Sequence, residues 1–143
     1  MTILNQIKTL LKHIILFFIG GLIYYLIEIL WRGYSHISMI FCGGGCFILI
    51  GLVNEVIPWE VKLWKQMLLG SIIVTIVEFF TGCIVNLWLK WNVWDYSNLP
   101  FNILGQICLP FCVAWFFLSL VAIVIDDYLR YWLFNEDKPH YSM

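Results

Sequence analysis

Charge is what this sequence has least of. Only 12% of its 143 residues are Asp, Glu, Lys or Arg, against about 25% in soluble domains. The basic and acidic residues nearly cancel, at a net charge of −1, and no basic run stands out. That excludes the electrostatic footprint of a nucleic-acid-binding protein. Familiar chemical motifs are missing as well. Gly43-Gly44-Gly45 is followed by no Lys-Ser/Thr pair and sits in an apolar run, so it is not a phosphate loop. There is no nucleophile elbow, zinc-protease motif or nucleotide fingerprint. No small-residue cleavage pattern precedes Arg32, and the apolar run after Lys12 is too long for a signal-peptide core, so that run is expected to stay as a first helix.

What is present is apolar. Hydrophobic residues make up 62% of the chain, and the mean hydropathy is +0.90. A soluble fold this small has too little interior to hide that much apolar surface. In lipid the constraint disappears, and a helix crosses with about 20 apolar residues. Four segments fit: His13–Trp31, Ile37–Val53, Met67–Leu89 and Ile103–Ile125. The second is short, and Ser35 and His36 are candidates to extend it. The fold class expected is an all-α membrane protein, a four-transmembrane-helix bundle. Asp126 to Phe134 would continue the fourth helix as an interfacial extension, with Asp126 and Arg130 spaced to pair. Residues 1–134 form one domain in this reading, and 135–143 a flexible cytoplasmic tail.

Aromatics mark the span ends, as at a membrane–water interface. Basic residues set the orientation. Lys8, Lys12, Lys62, Lys65, Arg130 and Lys138 fall on one side, Arg32 and Lys90 on the other. The positive-inside rule then places both termini in the cytoplasm, and a bacterial inner (cytoplasmic) membrane is the expected location.

Polar residues inside membrane helices are costly and mark candidate sites. Glu28, Arg32 and His36 follow one another at i+4 steps on one face. Glu28 and Arg32 are placed to pair, as a ligand site or as a buried pair that fixes helix register. Glu78 shares a stripe with Ser71, Thr75, Gly82 and Asn86. It lies about 15 Å below the outer surface, at 1.5 Å per residue from Trp88. No Lys or Arg in its own helix can pair with it, so it is either protonated or meets Arg32 or another donor across the bundle. Asn102, Gly105 and Gln106 open the fourth segment, and Pro110 predicts a kink that frees the Gln106 carbonyl. Asn86 and Gln106 also fit the role of interhelical glue. The loop Trp91–Pro100, carrying Asp95, is a candidate lid. The ligand- or ion-binding candidates are therefore Glu28, Arg32, His36, Glu78, Asn86, Asp95, Asn102 and Gln106.

Cys42 with Cys46, and Cys108 with Cys112, share helix faces. Packing is the reading adopted, with a four-thiolate soft-metal site as the alternative. No catalytic residue, metal or cofactor is assigned. His36 has no second histidine on its side to form a bis-histidine haem site.

The run Trp94-Asp95-Tyr96-Ser97, then Pro100-Phe101-Asn102, Gly105, Ile107-Cys108-Leu109 and Trp115, resembles the signature of the "putative ABC-transporter type IV" membrane family. Glu28 with Arg32-Gly33, and Glu78, also fit that family. The resemblance covers most of the chain and implies a membrane location and a permease role. No ATPase cassette is present, so an ATP-driven role requires a separate subunit. The functional expectation is a small transporter or permease-like protein, ion- or proton-linked, working as a homo-oligomer with a dimer favoured. Its partners would be the lipid bilayer and another membrane or ATPase subunit. The alternatives are a ligand- or lipid-binding regulatory subunit and, third, a membrane-embedded enzyme on a lipid-linked substrate.

Overall fold

The computed structural model describes residues 2–143. Within them, four helices are long and apolar enough to cross a membrane, and no strand is present. Helix α1 is Ile3–Arg32, α2 is Ser38–Val56, α3 is Leu63–Gly82 and α4 is Leu109–Phe134. The chain is thus the all-helical, four-span protein that its hydropathy predicts.

The ends follow local chemistry. The Thr2 hydroxyl accepts from the Asn5 amide at 3.2 Å and caps α1. Gly33 closes α1 with φ +80, a conformation glycine adopts without strain, and its amide reaches the Ile29 carbonyl at 2.8 Å. The chain leaves helical geometry there, so Ser35 and His36 do not extend α2. Instead the His36 ring accepts from the Ser38 amide at 3.1 Å at the start of that helix.

Helix α3 does not end cleanly at Gly82. It widens into a π-helical turn, Cys83–Trp88, that carries the buried Asn86. The largest correction concerns the fourth span. Residues 103–108 are irregular, and α4 begins at Leu109 with Cys108 as its extended cap. Pro110 therefore sits in the first turn, where its missing N–H has no helical partner to lose. No kink arises and no Gln106 carbonyl is freed. At the other end α4 does run on to Phe134.

The helices are not packed evenly. Helix α1 lies along α2 and α3 along α4, α2 joins the two pairs, and α1 barely touches α4. Glycines set the α1–α2 contact. A Cβ on Gly44 would stand 2.6 Å from the Phe17 carbonyl oxygen, and one on Gly43 would stand 2.7 Å from the Tyr24 side chain. Such small residues let membrane helices approach closely. Outward faces are apolar. Ile72, Ile76 and Phe80, four residues apart along α3, are all exposed, as lipid contact requires.

Candidate functional site

The seam where α1 barely touches α4 holds a cavity of about 800 Å³. Helix α1 contributes Tyr24, Glu28 and Arg32, and α4 contributes Phe111, Ala114 and Trp115. The 89–108 segment folds over one end and adds Val93, Trp94, Asp95 and Tyr96. A second, tighter space of about 80 Å³ adjoins it deeper in the bundle. It shares Tyr24, Met39 and Trp115 with the larger cavity, and Glu78 lines it.

The covering segment is built by its polar residues. Asn86, held in the wide turn after α3, accepts from the Val93 amide at 2.7 Å and donates to Gln106 Oε1 at 2.8 Å. The Trp94 indole donates to the Gln106 carbonyl at 3.0 Å. Asn102 donates to the Leu99 carbonyl at 2.9 Å and accepts from the Gly105 amide at 3.1 Å. Asp95 accepts from the amide of Ser97 at 2.9 Å and from its hydroxyl. These two bonds hold the Asp95 carboxyl below the usual carboxylate range. Gly105 has φ +70, and a Cβ there would meet the Asp95 carboxylate at 2.8 Å. The Trp-Asp-Tyr-Ser, Asn and Gly residues of the sequence signature are therefore the parts of one folded cover. Lys90, Asn92, Phe101 and Leu104 all take positive φ without being glycine. Four such residues in one short segment concentrate backbone strain, which persists only where surrounding structure enforces it.

Glu28 and Arg32 pair as their spacing predicts, at 3.3 Å. Ser35 donates to Glu28 at 2.6 Å. Arg32 also donates to the Val93 carbonyl at 3.0 Å and lies over the Tyr34 ring. Its two terminal nitrogens are thereby occupied, its Nε has no partner among the described residues, and it fastens α1 to the cover. Among the described residues, Glu78 meets neither Arg32 nor any other cation. It accepts from the Tyr96 hydroxyl at 3.1 Å and from the Trp115 indole at 3.2 Å. Both donors are aromatic, and Tyr96 stacks on Phe111 with ring centroids 4.6 Å apart.

The eight candidate residues thus separate by place. Glu28, Arg32 and Asp95 line the larger cavity and Glu78 the smaller one beside it. Asn86, Asn102 and Gln106 spend their amide groups on the cover. His36 lines neither cavity and packs against Trp91 and Ser38. Among the described residues, no three His, Cys, Asp or Glu side chains converge as metal ligands.

The chain matches a family described as "Putative ABC-transporter type IV" over residues 15–138. It belongs to that family. No curated protein and no solved structure matches the chain.

A second polar cluster, at the opposite end of the bundle, escaped the sequence reading except for its Asp126–Arg130 spacing. Asp126 is fully buried and pairs with Arg130 at 2.9 Å. Arg130, itself 3% exposed, also reaches Glu55 on α2. Lys12 on α1 pairs with Glu136 at 3.1 Å. A polar cavity of about 430 Å³ opens beside Glu55, Asp127 and Arg130. The signal was available: Glu55 near the end of the second span and Asp126 near the end of the fourth lie at the same depth. Of the residues after Phe134, expected as a flexible tail, Glu136 and Tyr141 reach this cluster. Tyr141 donates to Asp127 at 2.8 Å, and the Ser142 carbonyl accepts from the Leu63 amide at 2.8 Å.

Proposed function

We propose that this member of the family is a permease-like subunit of a bacterial cytoplasmic membrane, with both termini inside and the 89–108 cover outside. It binds a small solute in the α1–α4 cavity and links its movement to an ion or proton at Glu78. The observation that carries this reading is a drug-sized cavity next to a buried carboxylate that has aromatic donors and, among the described residues, no cation partner. Intramembrane acids of this kind mark solute and ion paths. Four helices enclose only part of a path, so two copies facing each other across the open α1–α4 seam complete it. A separate ATPase subunit would drive it if transport is ATP-powered.

Proteoliposomes holding the full chain and a pH-sensitive dye test this. A panel of small solutes is expected to include one that moves protons on addition. Glu78→Gln and Ala114→Trp, checked for retained helicity by circular dichroism, are expected to abolish that signal. Solute-driven proton movement that survives both changes rejects the reading. A second reading, a regulatory subunit that binds a cytoplasmic partner, draws support from the polar cavity at the tail end. Co-purification of a stoichiometric partner, with no flux for any solute, decides for it.

A further inference from the structure

The walls of the larger cavity combine two properties that together select a ligand. They are aromatic: Trp31, Tyr34, Trp94, Tyr96, Phe111 and Trp115 all face it. They are also short of positive charge. Among the described residues, Arg32 is the cavity's only cation, and its two terminal nitrogens are engaged by Glu28 and the Val93 carbonyl, with the Tyr34 ring against the guanidinium. The Glu28 and Arg32 charges cancel, which leaves Asp95 at the rim and Glu78 behind Tyr96 and Trp115. Lys90 is exposed on the surface segment, and His36 is occupied by Ser38 and Trp91.

Aromatic faces carry negative charge density and attract cations, most strongly where water is excluded. Walls that are mostly apolar disfavour strongly hydrated ions such as ammonium, because few polar groups there replace their hydration. A cation with its charge wrapped in hydrocarbon or aryl groups satisfies both walls and carboxylates. Access suits such a molecule too. The cavity lies in the α1–α4 seam, and its wall residues Trp31 and Phe117 are 80% and 62% exposed on the outside of the bundle. A lipophilic ligand can therefore enter from the bilayer.

We propose that the α1–α4 cavity is a binding site for lipophilic organic cations. This rests on the permease reading and names its substrate class. The paired probes are tetraphenylphosphonium and tetraphenylborate, which share size and shape but carry opposite charge. Each is titrated onto the full chain in detergent and followed by tryptophan fluorescence and calorimetry. The expected result is saturable tetraphenylphosphonium binding, at least tenfold tighter than that of tetraphenylborate. Ala114→Trp, which fills the cavity, and Glu78→Gln are each expected to weaken it at least tenfold. Equal or tighter binding of the borate by the unaltered chain overturns the proposal without depending on any variant. So does phosphonium binding that neither substitution changes. If the borate wins while Ala114→Trp still abolishes solute-driven proton movement, the cation assignment falls and the permease reading stands.

Discussion

At the scale of single residues, the cover over the cavity depends on side chains that replace backbone partners. Asn86 is the clearest case, since its carbonyl oxygen takes the Val93 amide and its amide group holds Gln106. Asn86→Leu keeps the branched shape of the side chain and removes both bonds. It is expected to cost about 1–3 kcal/mol for each buried group left without a partner, read as a fall in thermal unfolding temperature in detergent. Asp95 makes a different prediction, in pH. Its folded value is depressed by the Ser97 hydroxyl and amide. The turn's contribution is therefore fully present above the ordinary aspartate value near 3.9 and is lost as pH falls through the lower folded value. Carboxyl carbon shifts followed by NMR are expected to show Asp95 titrating below the ordinary aspartate value. Asp95 titrating at that ordinary value would mean that the Ser97 bonds do not form in solution.

At the scale of elements, the α1–α2 contact offers an internal comparison. Gly44 and Gly45 are neighbours in the same helix, yet a Cβ on Gly44 meets the Phe17 backbone while one on Gly45 meets nothing within 4 Å. A backbone carbonyl cannot swing aside. Gly44→Val is expected to destabilise by about 1–3 kcal/mol through overpacking, and Gly45→Val by far less, in matched denaturation series. The elements also show what a sequence can convey. Spans were readable because lipid demands long apolar runs, and the Glu28–Arg32 pair because i+4 spacing is local. The start of α4 was not, because a proline near a helix end fits a first turn as well as a kink. Asn102 and Gly105 before Pro110 were the signs of an irregular cover rather than a helix. Glu78 was readable as a buried acid, but its partners were not. Tyr96 and Trp115 are 18 and 37 residues away in the chain, and only the fold brings them together.

At the scale of the whole molecule, the two ends are built in opposite ways. The covered end leaves α1 and α4 apart around a cavity. The tail end ties α1, α2, α4 and the C-terminal residues through Lys12, Glu55, Asp126, Arg130 and Glu136. Tyr141 extends that tie to Asp127, and burial together with the carboxylate pushes its hydroxyl well above the usual tyrosine range. A raised folded value means stability fully present below pH 10, the ordinary tyrosine value, and lost as pH climbs beyond it. Absorbance at 295 nm is expected to show Tyr141 ionising above the ordinary tyrosine value, as a late component that Tyr141→Phe diminishes. The central test concerns Arg130. Removing one member of a buried pair strands the other, at a cost of about 3–5 kcal/mol, whereas replacing both with apolar groups is close to neutral. Arg130→Met alone is therefore expected to be far more damaging than Arg130→Met with Asp126→Leu, measured by unfolding in detergent. Glu55 loses its Arg130 partner in either variant, but at 37% side-chain exposure water replaces it. If the double variant is as unstable as the single, the cluster matters as a whole network. The tail end would then be a clamp that cannot be replaced by apolar packing, and opening of the bundle would be confined to the α1–α4 seam.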